Sequence, residues 1–401
     1  MAILKNTGII VKVYQPSWYP TFDPFAKEID NSLAEKLASY THSILADGGF
    51  DAASMGFSTD VFTASDWYEK GLGYIIQVTD ELGNEIWLGI VNQITFVQSE
   101  LTSTIGPLLD ISNDIIATYT PIYVEHTPFL KGAQRFTIIV QDTDSIAKYG
   151  THMLVLNAGE ALVDTTATPV YNEAEQARDT YLLENAWPND DQKSVQFSAG
   201  QVSIQLECLG LRHYLEKFYY NDNTPGVTTI SGTPTSKLEL VLAADPNGIV
   251  DSTDFDTNPV LVRRLDDKSR TGQTIISELL TQGGASFERW TFGIFANRVA
   301  RYKPIPTQAE YALRIGEESR LLDFGTDHVV EPWNVLPGKW LIARNAFPAT
   351  PLLDATVLTD DRRVMFIETA SYTAPYDYSV NGVKIQRLSQ MIARMGLKGI
   401  K

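Results

Sequence analysis

The sequence predicts a mainly-β protein with a few short helices, an α+β chain of several domains. Three observations carry this. Apolar and polar residues alternate in run after run, Gly, Asn and Pro punctuate those runs, and stretches with helical spacing are few. The chain has 401 residues, 44% of them apolar, which is ample to build a folded core. At roughly 100–200 residues per domain, that length suggests several domains. Boundaries are expected near 125 and 235. They give an N-terminal β module over 1–125, a middle α+β segment over 126–235 and a C-terminal β-rich module over 236–401 that closes with a helix. The middle segment holds a strand at 201–208 and a linker at 221–236.

Each element has its own signal. Thr63-Ala-Ser-Asp66 fits a capping box, so Trp67–Lys70 should make a helical turn that Gly71 stops. Tyr74–Thr79 and Glu85–Val91 read as a hairpin, with Gly83-Asn84 tolerating the positive φ of a tight turn. In its second strand, Ile86, Leu88 and Ile90 share one face while Trp87 and Val91 share the other. A strand apolar on both faces should be covered on both sides. Gln201–Cys208 alternates, with Val202, Ile204, Leu206 and Cys208 set against Ser203, Gln205 and Glu207. Gly210 and an aromatic stretch with Tyr214 and Phe218–Tyr220 follow. Thr102–Ile105, Gly106 and Pro107–Asp110 repeat that order of strand, glycine and turn, hinting at a duplicated β module.

Helices are expected at Asn172–Trp187, before Pro188, and at Thr274–Gly283, with Ile275, Ile276, Leu279 and Leu280 on one face. The C-terminal stretch places Leu388, Met391, Ile392 and Met395 at i, i+3, i+4 and i+7. Loops gather at 188–200, 220–236 and 245–258. The Thr/Gly/Pro-rich stretch Asn223–Ser236 is the best linker candidate.

Charge and cysteine content exclude several classes. The net charge is −17, from 49 acidic and 32 basic residues. A surface that wraps nucleic acid or docks on anionic lipid needs the opposite balance. Cys208 is the single cysteine, so no intrachain disulfide exists. Lys12 closes the first apolar stretch too early for a signal peptide, and no apolar run reaches membrane-spanning length. A soluble chain made in a cytoplasm is the expectation.

No motif names a catalytic, cofactor-binding or metal residue. His42, His126, His152, His213 and His328 lie far apart and outside any His-Glu-x-x-His or Cys-x-x-Cys setting. Asp245–Asp256 crowds acidic oxygens but fails the EF-hand pattern, with Asp256 and Val262 at positions six and twelve counted from Asp251. A solvated turn is the simpler reading. Gly71-Leu-Gly73 precedes a strand, where a dinucleotide fingerprint follows one. Gly56–Asp60 lacks the second glycine of a nucleophile elbow. Cys208, on the apolar face of a strand, reads as an inert buried thiol. Paired carboxylates of a glycosidase are not excluded by so acidic a chain. Trp67, Trp187, Trp290, Trp333 and Trp340 would serve equally as sugar platforms or core anchors. The last twenty residues carry Lys384, Arg387, Arg394, Lys398 and Lys401 with no Asp or Glu. That fits either cations at a helix C-terminus or a docking surface for an acidic neighbour.

Several segments resemble minor tail proteins of long-tailed bacteriophages. They are Leu45–Phe50, Asp66–Gly73 and Glu85–Val91, with Arg178–Leu182, Glu184–Pro188 and Leu206–Gly210. Arg289–Gly293 with Arg298 and Tyr302, and Pro332-Trp333 with Pro337–Trp340, complete the set. The resemblance runs along most of the chain. It implies β-barrel or β-sandwich hub modules with inserted segments, assembled as a homo-oligomer, with a trimer favoured. It implies a non-enzymatic virion protein of the tail tip or baseplate hub, joining the tail tube to distal tip or fibre proteins. No catalytic residue, cofactor or metal carries over. DNA would pass nearby without specific binding, and the chain would not insert into a membrane. The alternative is a carbohydrate-binding or carbohydrate-cleaving tail protein acting on the host surface.

Overall fold

The computed structural model describes residues 8–29, 37–98, 101–189, 201–220, 231–263, 270–285, 288–306, 310–315, 320–323, 326, 328–345, 364–374 and 377–383. The expected C-terminal helix, the basic end and most of the loops at 188–200 and 221–230 lie outside them.

The chain begins with strands β1 (Ile9–Ser17), β2 (Asp23–Glu28), β3 (Leu37–Leu45) and β4 (Gly48–Asp60), then helix α1 (Val61–Lys70). Strands β5 (Ile75–Asp80), β6 (Glu85–Gln98) and β7 (Leu101–Ile105) follow. Next come β8 (Asp114–Tyr123), β9 (Leu130–Lys131), β10 (Arg135–Phe136) and β11 (Val140–Gln141). Helix α2 (Thr143–Tyr149), β12 (Met153–Asp164), β13 (Tyr171–Asn172) and helix α3 (Glu173–Asn185) lead to β14 (Gln201–Gly210). Beyond it lie β15 (Ser231–Gly232), α4 (Pro234–Ala243), β16 (Ser252–Phe255), β17 (Val262–Arg263) and α5 (Gly272–Gln282). The chain closes with β18 (Trp290–Phe295), β19 (Val299–Pro304), β20 (Tyr311–Ile315) and β21 (Arg320–Asp323), then β22 (Trp340–Asn345), β23 (Val364–Thr373) and β24 (Asp377–Val383).

One large mixed sheet organises the molecule, in the order β2-β1-β5-β6-β14-β4-β3-β23-β22-β20-β21. The mainly-β, α+β class expected from the sequence is what the chain adopts. The strand order is an open path, and among the described residues no barrel closes. β8 to β13 form a second, smaller sheet, built on the parallel pair β8–β12.

β6 is the spine. Its first half pairs with β5 and its second half with β7 on one edge, while β14 runs along the other. Every residue from Ile86 to Asn92 is buried, as expected for a strand covered on both faces. Asp80 builds the hairpin turn, where its carboxylate accepts from the N–H groups of Leu82 and Asn84 and Gly83 takes a φ of +85°. At Gly89 a Cβ would sit 2.3 Å from the carbonyl oxygen of Leu209, so only glycine lets β14 approach. The two strand-glycine-turn runs flank this spine. β7 with its turn at Leu108–Asp110 and β14 with its turn at Leu211–Glu216 lie on opposite edges of β6 and run the same way.

The helices show where local chemistry outran the sequence pattern. α1 starts at Val61, not near Trp67, because the Asp60 carboxylate caps it by accepting from Thr63 N–H at 2.9 Å. Residues 231–236, expected as linker, form β15 and the start of α4. Thr233 and Ser236 make a reciprocal capping box there, and Pro234 sits in the first turn, where its missing N–H costs nothing. α3 and α5 lie where expected, each one or two residues inside or beyond the predicted bounds, capped by Asn172 and Thr271. α2, with Asp142 as its cap, had no apolar stripe to announce it.

Candidate functional site

Cys208, His42 and His152 are withdrawn from solvent, whereas His126 and His328 are exposed. Cys208 is 1% exposed, and burial pushes its thiol pKa far up. Burial also lowers His42 and His152 to about 3. Both are therefore neutral core residues at ordinary pH, with His42 Nδ1 2.9 Å from the Tyr40 hydroxyl. Among the described residues no group of three or more His, Cys, Asp or Glu side chains is placed to hold a metal ion. In the stretch Asp245–Asp256, Asp245 accepts from the N–H groups of Asn247 and Ile249, and burial raises it to about 6. Asn247 in turn accepts from Thr151 N–H at 2.7 Å and donates to its carbonyl at 2.9 Å. Those oxygens join the second sheet to the body.

Two of the segments singled out in the sequence, Leu45–Phe50 and Arg289–Gly293, meet instead at one junction. Ala46-Asp47 turns between β3 and β4, and Gly48 and Gly49 at the start of β4 pair in parallel with Gly293 and Ile294 of β18. A Cβ on Gly49, whose φ is +80°, would stand 2.1 Å from the carbonyl oxygen of Ile294. Above this contact Arg289 donates to Asp47 at 2.6 Å and to Glu368 of β23 at 2.8 Å. Burial outweighs Arg289 and holds the Asp47 carboxyl above its usual range. On the other side of the turn, Asp51 pairs with Arg212 and lies 3.3 Å from His213 Nε2. His213 Nδ1 faces Glu216 at 3.3 Å. Burial alone would lower His213, but its hydrogen bonds to the two carboxylates win and raise it. For Asp51 burial is likewise overcome, and its pKa falls well below the carboxylate range. Four carboxylates, two arginines and a histidine thus tie β3, β4, β18, β23 and the turn after β14 together. Each of these side chains has at least one partner within the cluster, with Asp47 Oδ1 and Arg212 Nε buried and left over, and the cross-links between distant strands are the arrangement of a structural lock.

The remaining motif residues serve the same frame. Glu85 accepts from Asn297 N–H at 2.9 Å, at the turn where Asn297 and Arg298 adopt positive φ. Arg298 pairs with Asp251 at 3.0 Å and lies over the Phe22 ring. Tyr302 is fully buried and its hydroxyl accepts from Asn258 at 2.8 Å. Trp67, Trp290 and Trp340 are core residues, while Trp187 reaches solvent and donates to Asp142. Of the five tryptophans weighed as sugar platforms, three are therefore out of reach of a ligand.

The exposed apolar side chains concentrate on the second sheet, where Phe129, Leu130, Phe136, Ile138, Ile139 and Leu162 reach solvent. α3 covers one of its faces, against Tyr119, Ala161 and Val163. Register sets the other face. Phe136 pairs with Thr118, Val155 with Ile116 and Leu162 with Ile122, so these side chains point away from α3. Sequence reasoning missed this surface and the role of Arg289.

The chain is thus a β-rich protein in which the polar cluster around Asp47 and Asp51 forms a structural lock. No family model and no curated protein matches it. Solved structures similar to it include the tail protein from Neisseria meningitidis MC58, at 9% identity and a TM-score of 0.39, covering 91% of this chain and 92% of that one. The 43 kDa tail protein of prophage MuSo2 from Shewanella oneidensis overlaps at 7% identity and a TM-score of 0.38, over 93% and 96% of the two chains. An E. coli component of the type VI secretion system, described as structurally similar to T4 tail proteins gp27 and gp5, overlaps at 10% identity and a TM-score of 0.27, over 48% and 58%.

Proposed function

We propose that this chain is a structural, non-enzymatic subunit of a phage tail tip, a hub that joins the tail tube to distal tip or fibre proteins around the DNA channel. The observation that carries the reading is the junction at Asp47–Asp51. Two segments recognised from the sequence as tail-protein-like, Leu45–Phe50 and Arg289–Gly293, meet there and are fastened to β23 and to the turn after β14 by ion pairs. A force-bearing connector needs that kind of cross-linking between distant strands, whereas a catalyst needs groups left free to act. The net charge of −17 suits a channel through which DNA slides without sticking. The subunits act as a homo-oligomer, a trimer by preference, in the virion.

Light scattering on the purified chain, with electron microscopy of the particles, tests this. A ring with an acidic central channel is expected. A channel of net positive charge, or particles that form no ring with neighbouring tail proteins present, would sink it.

A further inference from the structure

The second sheet and the body carry two unlike surfaces that complement each other in charge and shape. We infer that the meander Phe129–Ile139 of one copy docks head-to-tail on an acidic cavity of the next copy, with Arg135 entering beside Glu81, Glu331 and Trp333. The inference rests on the ring-forming reading above and names the surfaces that make the contact.

The meander is the apolar and basic half. Its strands β9, β10 and β11 are two residues long, and each pairs with β8. Phe129, Leu130, Phe136, Ile138 and Ile139 are 43% to 72% exposed. Exposed apolar side chains gathered that closely mark a contact surface. Residues 126–141 also hold Lys131 and Arg135 and no Asp or Glu, in a chain of net charge −17. Lys131 is taken up by Glu160 of β12. Arg135 is exposed, lies over the Tyr123 ring at 5.9 Å and meets no carboxylate among the described residues.

The cavity is the acidic half. It measures about 360 Å³ and lies between the β5–β6 hairpin turn and the turn at Pro332–Asn334. Gly8, Glu81, Leu82, Glu331 and Trp333 line it. The Trp333 ring rests against Gly8, where a Cβ would stand 2.7 Å from it. Its indole N–H is buried with no acceptor among the described residues. Glu81 and Glu331 are exposed, and neither has a cation beside it among the described residues. A guanidinium suits this lining, because it stacks flat on an indole while its fork meets a carboxylate. Leu82, 88% exposed at the rim, supplies the apolar contact for the meander's Phe and Leu side chains.

β1 fixes the direction. Gly8, just before it, lines the cavity, and Trp18, just after it, packs on Gly150 at the root of the second sheet. Ten extended residues, roughly 30 Å, separate the two ends. The cavity and the second sheet therefore lie toward opposite ends of the body, and the contact runs from one copy to the next. A contact between unlike surfaces repeats by rotation and closes into a ring.

Sedimentation velocity of the full-length chain over a concentration series tests this. Arg135→Glu and Glu331→Arg, each alone, are expected to weaken self-association roughly tenfold or more. The double variant, which exchanges the two charges, is expected to recover most of that loss, a recovery that misfolding would not give. A chain that stays monomeric at every concentration overturns the inference. So do single variants that associate like the wild type, and so does a double variant no tighter than the singles. The tail-tip reading is judged separately, by the particles formed with neighbouring tail proteins present.

Discussion

Arg289 and Glu368, 79 positions apart, face each other through both nitrogens of the guanidinium and both oxygens of the carboxylate. The same guanidinium holds Asp47, so one side chain fastens β18 to β23 and to the turn before β4. Its removal leaves two half-buried carboxylates facing each other. Because all three groups keep about a third of their side-chain surface in water, the loss is smaller than for a dry ion pair. Arg289→Ala should cost about 1–3 kcal/mol in urea unfolding, and Arg289→Lys, which keeps the charge without the fork, visibly less.

Gly49 and Gly83 have nearly the same φ, +80° and +85°, but different surroundings. A Cβ meets backbone at 2.1 Å on Gly49 and open space on Gly83. Gly83→Ala should therefore cost about 1 kcal/mol, the strain of the left-handed backbone alone. Gly49→Ala should cost roughly 3 kcal/mol or more, because β4 and β18 must separate. Thermal unfolding of the two variants side by side measures the difference.

His213, between Asp51 and Glu216, has a raised folded pKa, so its charged form stabilises the fold. That contribution is complete below the unfolded value of about 6.5 and disappears as pH rises through the folded value. Asp51 works in the other direction. Its pKa is depressed, so its contribution is present above about pH 4 and is lost on acidification. Unfolding free energy should decline from pH 6 to pH 8 more steeply in the wild type than in His213→Gln. Equal slopes would remove the histidine from this role.

Asp245 carries the opposite sign, since burial raises it to about 6. Its charged form is disfavoured in the fold, so it costs stability as pH rises from about 4 through 6. Relative to the wild type, Asp245→Asn should gain about 2–3 kcal/mol between pH 4 and pH 7. Denaturant titrations at the two pH values check it.

Cys208 offers a probe that needs no mutation. Its thiol is buried and its pKa raised, so a thiol-reactive dye should label it only as fast as the large sheet opens. Prompt labelling of the native chain at pH 8 would contradict its placement in β14.

What could be read from the residues was local. The 74–91 hairpin, the alternation of β14 and the apolar face of α5 each follow from side-chain periodicity within a dozen positions. Caps made by single side chains, Asp60 for α1 and Thr233 for α4, start helices where the sequence suggested a capping box at Thr63–Asp66 and a Thr/Gly/Pro-rich linker. The lock at Asp47 was illegible for a different reason. Its members are separated by up to about 320 residues, and nothing in the spacing of Asp47, Arg289 and Glu368 links them before the sheet is assembled. The open face of the second sheet was hidden likewise, because which side α3 would cover depends on register and not on composition.

The pairing of β3 with β23 sets a timetable for synthesis. β3 emerges early, yet the strand that covers its edge lies roughly 320 residues further on. At about 5–20 residues per second, the ribosome leaves that edge unpaired for some 15–60 s. An unpaired strand edge is a template for other nascent chains, so the molecule is most prone to clump while it is being made. The yield of folded protein is then set by the rate of chain completion and the supply of chaperones, more than by the strength of the finished fold.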